Sequence, residues 1–318
     1  MGRMPPTPLD RPMAIATTLL DQELRRQLAG ALRQAPARGE LAIHYQPRVH
    51  PVDGRRLGAE ALLRWRHARY GQVPPNTFIP IAEGSNLILA LGGWVLRQAM
   101  ADAARHPELG RVSINVSVRQ VLSGRLPAQV ATALAESGLP PERLELELTE
   151  TLPLGDMAEA AAMLGRLRDC GIGIALDDFG AGYGSFQRLR ELPFSTIKLD
   201  RSLIARLPED AKDFAILWAI RDLARSLRLR LVAEGVERPE QLEAAIGLGF
   251  DEVQGFLLGR PAPLEALVGP TAPMQPGPAA AHRLLGGGPA LRQAAGGACR
   301  PPDDASPAIM LHPADRRL

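Results

Sequence analysis

Cysteine and lysine are both scarce in this sequence. The two cysteines, Cys170 and Cys299, lie far apart and neither belongs to a CxxC pair. A disulfide scaffold and a zinc knuckle are therefore not predicted, and a reducing compartment is favoured. Lys198 and Lys212 are the only lysines among 37 basic residues. Codon bias towards arginine explains the scarcity of lysine in general. Because arginine is the usual basic residue here, the presence of Lys198 in an apolar segment suggests a need for a compact ammonium.

The chain also lacks a strong net charge and a long apolar run near its start. Its formal charge of +2 favours neither nucleic acid nor an acidic membrane as a partner. The opening residues do not have the pattern of a signal peptide, and the apolar stretch Met13–Leu20 is too short to span a bilayer. We therefore expect a cytoplasmic protein that binds neither a nucleic acid polymer nor a membrane.

The composition divides the chain into three parts. Residues 1–20 are expected to form a flexible leader, and a helix is predicted to begin near Asp21. Residues 21–267 have the apolar content of a folded domain, since 46% of the chain is hydrophobic. After Pro261 the sequence is dominated by Ala, Gly and Pro, and such a segment buries too little apolar surface to offset its ordering entropy. Residues 268–318 are therefore predicted to be a disordered tail.

Short apolar segments alternate with longer helical ones throughout the central part. This alternation predicts a largely parallel sheet of eight strands. The strand candidates begin at Leu41 and continue as Leu57–Leu63, Val112–Val116, Leu144–Leu148, Ile172–Leu176, Thr196–Leu199, Arg230–Ala233 and Glu252–Phe256. Eight units over about 240 residues fit a (β/α)₈ barrel better than an open sheet, although periodicity alone leaves a doubly wound fold open.

Polar side chains interrupt or end seven of these eight strands. They are Glu60, Asn115, Glu147, Asp177 with Asp178, Lys198, Glu234 and Gln254. Any one of them could be an ordinary surface residue or part of a turn. Taken together, they would meet at the mouth of a barrel, where strand carboxyl ends converge and active sites form. Clustered carboxylates need cations to neutralise them. Because the donors are oxygen atoms without His or Cys, Mg²⁺ or Mn²⁺ is favoured, and the Asp177-Asp178 pair could flank two ions.

An ordered set of motifs at these positions resembles the EAL family of cyclic di-GMP phosphodiesterases. The likeness runs from about Leu41 to Pro261. The motifs are Tyr45-Gln46-Pro47, Glu60-Ala61-Leu62-Leu63-Arg64-Trp65, Asn115-Val116-Ser117, Glu147-Leu148-Thr149-Glu150, Asp177-Asp178-Phe179-Gly180-Ala181-Gly182-Tyr183, Lys198-Leu199-Asp200, Glu234-Gly235-Val236-Glu237 and Gln254-Gly255. The tripeptide Glu-Ala-Leu alone carries little information, whereas the ordered set is specific.

The resemblance implies a modified TIM (β/α)₈ barrel whose first strand is antiparallel to the others. It also implies a centre with two ions, Mg²⁺ or Mn²⁺, and a water-derived nucleophile that opens cyclic di-GMP to linear pGpG. By motif, one metal would be held by Glu60, Asn115, Glu147 and Asp177, and the second by Asp177 and Asp178 with Glu234 nearby. Lys198 would contact the attacking water. Supporting roles fall to Gln254 and Glu237, a substrate phosphate would be bound by Arg64, and Gln46 would contact the substrate.

The loop after Asp178 departs from the family pattern. Ala181 stands where Thr is frequent, and Gly184-Ser185-Phe186 stands where Ser-Ser-Leu is frequent. The resemblance links this loop to metal binding and to a homodimer, with Glu150 as its supporting partner. Two rivals to the enzyme remain open at this point, namely a receptor that binds cyclic di-GMP without cleaving it and a protein-interaction module.

Overall fold

The structure, a computed structural model, describes residues 10–149, 157–180, 185–208 and 211–268. Its strands are β1 (Leu41–Val49), β2 (Arg56–His67), β3 (Gly71–Val73), β4 (Arg111–Val116), β5 (Leu144–Thr149), β6 (Gly173–Phe179), β7 (Thr196–Leu199), β8 (Arg230–Ala233), β9 (Glu252–Val253) and β10 (Ala262–Pro263). Its helices are α1 (Asp10–Gln34), α2 (Pro75–Gly84), α3 (Leu87–Arg105), α4 (Val118–Leu122), α5 (Leu126–Ser137), α6 (Met157–Asp169), α7 (Ser185–Glu191), α8 (Arg201–Ile204), α9 (Ala211–Ser226), α10 (Pro239–Leu248) and α11 (Leu264–Val268).

Eight of the strands close into a barrel. From β2 through β4 to β9, each barrel strand runs parallel to the next one. Strand β1 completes the ring by pairing antiparallel with β2 on one side and with β9 on the other. The predicted modified barrel and its antiparallel first strand are therefore confirmed. Strands β3 and β10 add short antiparallel pairings to β2 and β1.

Strand β5 illustrates how the sequence positions the site. Leu144, Leu146 and Leu148 occupy one face and belong to the main apolar core. Because side chains alternate along a strand, Glu145 and Glu147 fall on the other face, inside the barrel. The same alternation in the neighbouring strands gives the barrel a polar interior surrounded by an apolar layer of helices.

A second apolar cluster joins α1 to the outside of the barrel. Leu28 and Leu32 of α1 pack there with Trp65 and Phe78, whose rings meet edge to face. Helix α1 begins at Asp10, so the predicted helix start near Asp21 is wrong, while the flexible leader over residues 1–20 stays a prediction. Ala, Leu and Met are good helix formers, and a proline in the first helical turn is tolerated, so this segment continues the helix.

Helix α3 is the one helix in the described ranges that is long and apolar enough, by length and composition, to cross a membrane. Its buried face includes Leu91, Leu96 and Met100, and this packing is that of a core helix in a globular domain. At the other end of the domain, α11 buries Leu267, whose carbonyl oxygen accepts a hydrogen bond from Arg56. The tail predicted over 268–318 lies outside the described residues, except for Val268 at the end of α11.

The packing of α1 gives a stability prediction with an internal control. Leu32→Ala should lower the free energy of unfolding by about 2–5 kcal/mol, because it opens a cavity in a fully buried site. Leu24→Ala, on the same helix but 43% exposed, should change it by roughly 0.5 kcal/mol or less. Urea unfolding of both variants measures this. Equal effects would mean that α1 does not pack as described.

Candidate active site

The polar residues predicted at the strand ends come together at one end of the barrel. Glu60 lies in β2, Asn115 in β4, Glu147 in β5, Asp177 in β6 and Lys198 in β7, whereas Glu234 and Gln254 directly follow β8 and β9. The strand register accounts for this, because Gln46 lies opposite Glu60, Asn115 opposite Glu147, and Thr149 opposite Asp177. A closed barrel thus converts positions scattered over about 200 residues of sequence into neighbours.

Lys198 is the centre of this cluster. Its side chain is buried, and its Nζ lies 2.6 Å from Glu234 and 2.7 Å from Glu147. Two further carboxylates lie at 3.1 Å, from Asp177, and at 3.7 Å, from Glu60. Burial alone would lower the pKa of Lys198, but the four carboxylates outweigh it and raise the pKa well above its usual value. The ammonium therefore stays charged.

A chain of amides supports Glu60. Its two carboxylate oxygens accept hydrogen bonds from Asn115 Nδ2, at 2.8 Å, and from Gln254 Nε2, at 2.6 Å. Gln254 Nε2 also donates to Gln46 Oε1 at 3.1 Å, and Gln46 Nε2 donates to the Gly259 carbonyl. Gln46 is buried and orients Gln254 through this chain. Its predicted contact with a substrate stays a prediction.

Asp177 and Asp178 occupy the turn that leaves β6. Asp178 has a φ of 57°, in the left-handed region that a non-glycine residue seldom adopts. Its backbone N–H donates to Asp177 Oδ1 at 3.0 Å. Oxygen atoms of Asp177, Asp178 and Glu234 all lie within 4.8 Å of one another. The strained turn therefore aims two successive carboxylates at the same space.

The crowding of these acids shifts their titration. Burial, with Asp177 and Asp200 nearby, raises the pKa of Asp178 to about 6. Burial, opposed by Lys198 and reinforced by Asp177, raises the pKa of Glu234 to about 8. Burial also raises the pKa of Glu147 well above its usual value. For Glu60, burial is outweighed by Lys198 and by its amide partners, so its pKa is lowered.

Two further predicted site residues are Arg64 and Glu237. Arg64 is half-buried beside a cavity of about 290 Å³ that is also lined by Asn115 and Thr149. Its Nη1 donates to the neighbouring Leu63 carbonyl, and its guanidinium carries the positive charge that a phosphate requires. Glu237 is exposed and lies 3.4 Å from Arg201. Its predicted support of the site stays a prediction.

The cluster fits divalent cations of the magnesium type. Its donors are carboxylate and amide oxygens, which hard cations prefer. The cluster holds five acids and one ammonium: Glu60, Glu147, Asp177 and Glu234 contact Lys198, and Asp178 lies beside Asp177 and Glu234. Once ionised they leave an excess of four negative charges, the charge that two divalent ions neutralise. Gln254 Oε1, buried and without a hydrogen-bond partner, offers one more oxygen nearby.

A second polar network, not recognised in the sequence, fills the barrel below this cluster. Arg48 of β1 is fully buried there and contacts Glu145, Glu252 and Glu147. Arg230 joins it from β8 through Glu145 and Glu252. The available signals were a charged residue near the end of an apolar first strand and the alternation of Glu145 with Glu147.

Part of the predicted site lies outside the described residues. Glu150 is among them, as are residues 181–184 of the loop that follows Asp178. Phe186, just beyond this loop, is exposed and meets Phe179 edge to face. The homodimer predicted through this loop therefore stays a prediction.

Comparison with known proteins extends the likeness over most of the domain. The EAL domain family matches residues 29–261. An uncharacterized signaling protein of Caulobacter vibrioides is 45% identical over 253 residues, which cover 80% of this chain and 31% of that protein. The bifunctional diguanylate cyclase/cyclic di-GMP phosphodiesterase MucR of Pseudomonas aeruginosa is 42% identical over 250 residues, covering 77% of this chain and 36% of MucR. The chain thus spans about a third of the length of these relatives.

A solved structure agrees with the fold. The PaMucR phosphodiesterase in complex with c-di-GMP matches with a TM-score of 0.70 and 41% identity, over 76% of this chain and 99% of that one.

The raised pKa values predict how metal affinity depends on pH. Glu234 and Asp178 bind protons below about pH 8 and about pH 6 respectively, and a cation must displace them. The affinity for Mn²⁺ should therefore increase as the pH rises from 6 to 8.5, with release of protons. Calorimetry in two buffers of different ionisation heat measures both quantities. An affinity that is constant over this range, without proton release, would contradict the assignment.

Proposed function

The chain belongs to the EAL domain family, and from this premise we propose that it hydrolyses one phosphodiester bond of cyclic di-GMP. The product is linear pGpG, and the reaction depends on two divalent ions, Mg²⁺ or Mn²⁺. The observation that carries this proposal is the buried ammonium of Lys198 among four carboxylates, at the mouth of a barrel. Relatives named as cyclic di-GMP phosphodiesterases support the choice of substrate.

The residues that would hold the ions divide into two overlapping sets. Glu60, Asn115, Glu147 and Asp177 would hold one ion. Asp177 and Asp178, with Glu234 close by, would hold the other, and oxygen atoms of these three acids lie within 4.8 Å of one another. When bound, two such cations acidify a water molecule and neutralise charge that develops on phosphate oxygens. Asp177 is shared because its carboxylate faces both Lys198 and the Asp178–Glu234 pair.

The protein's own side chains would orient the reactants. Lys198 has three N–H donors on a compact head, and its position among the carboxylates suits it to hold the attacking water and to stabilise negative charge. Arg64 would bind a phosphate of the dinucleotide, with one base towards the adjoining cavity. No protein nucleophile is required, since the water attacks phosphorus and the ribose oxygen departs with a proton.

Assembly and location belong to the same proposal. We expect the enzyme to be cytoplasmic, because its proposed substrate is a signalling molecule of that compartment. We also expect a homodimer formed through the loop after Asp178. An exposed free thiol at Cys170 is compatible with a reducing compartment. Because the chain spans about a third of the length of these relatives, nothing about the rest of those proteins is carried over to it.

Turnover of cyclic di-GMP with Mg²⁺ or Mn²⁺ is the direct test. The protein should form pGpG, which chromatography separates from the substrate. Glu60→Gln should lower the activity on the order of 10²-fold or more, because a charged ligand is removed. Glu108→Gln is the control, since this exposed acid lies before β4, at the opposite end of the barrel. Binding of cyclic di-GMP without any turnover would identify a receptor instead of an enzyme.

The role of Lys198 can be tested against the other lysine of the chain. Lys198→Met should lower kcat on the order of 10²–10³-fold, because a preorganised donor to the reacting centre is lost. Its affinity for substrate, measured in Ca²⁺ to slow hydrolysis, should fall far less. Lys212→Met changes an exposed residue and should leave kcat unaltered. A normal kcat in Lys198→Met would remove this residue from the mechanism.

A further inference from the structure

The second polar network, which lies below the carboxylate cluster and is called the lower network from here on, is built around the guanidinium of Arg48. Its other members are Glu145, Glu252 and Arg230. Arg48 Nε and Nη2 lie 2.8 Å and 2.7 Å from Glu252 Oε2. Its Nη1 donates to Glu145 Oε1 and to the Ser113 hydroxyl. Side chains from three barrel strands, β4, β5 and β9, thus hold this arginine in one orientation.

The same Nη1 also reaches upward to a proposed metal ligand. It lies 3.3 Å from Glu147 Oε1, and the other oxygen of that carboxylate, Oε2, lies 2.7 Å from Lys198 Nζ. Glu147 is 1% exposed, so these are contacts within a closed interior. One oxygen of Glu147 therefore faces the lower network, and the other faces the cluster at the mouth.

The partners of Arg48 are themselves fixed. Glu145 Oε2 accepts hydrogen bonds from Thr196 Oγ1, at 2.8 Å, and from Arg230 Nη2, at 2.6 Å. Glu252 Oε1 lies 3.3 Å from both Arg111 and Arg230. A guanidinium is planar with five donors spread over three nitrogen atoms, so Arg48 reaches Glu252 and Glu145 on different sides and Glu147 above. A lysine at the same place has a single nitrogen and cannot reproduce this spread of donors.

We propose that Arg48 is a positioning residue for Glu147: by holding Oε1 from below, it presents Oε2 alone to the divalent ion above. This inference rests on the proposed metal centre. Outer partners that orient metal ligands typically affect metal affinity by about 10–100-fold when they are changed. Arg48 would act in this way although it lies at the far side of Glu147 from the ions.

The test compares two arginines of the same network. Arg48→Lys keeps the positive charge but loses the planar group with five donors. Calorimetry should show that it weakens Mn²⁺ binding about 10–100-fold. Arg230→Lys makes the same chemical change at a residue that contacts Glu145 and Glu252 but is not paired with Glu147. It should leave Mn²⁺ affinity within about twofold of the unchanged protein. Melting temperatures of both variants without metal report on the barrel separately.

The outcomes separate the two proposals. If the unchanged protein does not bind Mn²⁺, the proposed metal centre fails. If it binds Mn²⁺ and the two variants have equal affinities, only the role of Arg48 is overturned. Should Arg48→Lys not fold, the charge-balanced pair Arg48→Gln with Glu145→Gln replaces it and should show the same loss of affinity. If neither folds, Arg48 maintains the barrel and not the position of one ligand, and the proposal is wrong.

Discussion

Repulsion among buried carboxylates is the constraint on which the rest of this structure depends. Five acids crowd the mouth of the barrel, and an isolated ionised carboxylate in such an interior is strongly unfavourable. Lys198 compensates part of this negative charge through four contacts. The raised pKa values of Asp178 and Glu234 reflect the burial and repulsion that it does not compensate. The acids therefore depend on one another's environment, because four of them share the same ammonium and all five lie where cations could neutralise them.

The antiparallel direction of β1 serves both polar layers of the barrel. Gln46 pairs with Glu60 at the upper layer, and Arg48, two residues further along, pairs with Gly58 below it. Since β1 runs downward while its neighbours run upward, one short segment supplies an amide to the mouth and a guanidinium to the lower network. A first strand of the opposite direction would give those two side chains the reverse order.

Much of the upper layer could be predicted from the sequence, and the lower layer could not. A polar residue within or at the end of an apolar strand interrupts the pattern, and this interruption predicts Glu60, Glu147 and Lys198 as site residues. Glu145 and Glu252 stand near the beginnings of their strands, where a charged residue is ordinary, and only the closure of the barrel brings them to Arg48. The early start of α1 was missed because Pro12 and two threonines resemble a loop, although proline is compatible with a first helical turn.

The lower network also determines how the barrel can be entered. Arg48, Ser113, Glu145 and Thr196 have no exposed surface, so these side chains fill the interior of the barrel below the carboxylate cluster. Among the described residues, the partly exposed acids Asp178 and Glu234 lie at the carboxyl ends of β6 and β8, so ions and water would reach Lys198 through the opening at that end. A ligand bound across that opening would block it. Ions and water beneath the ligand would then exchange with bulk solvent only as fast as the ligand dissociates.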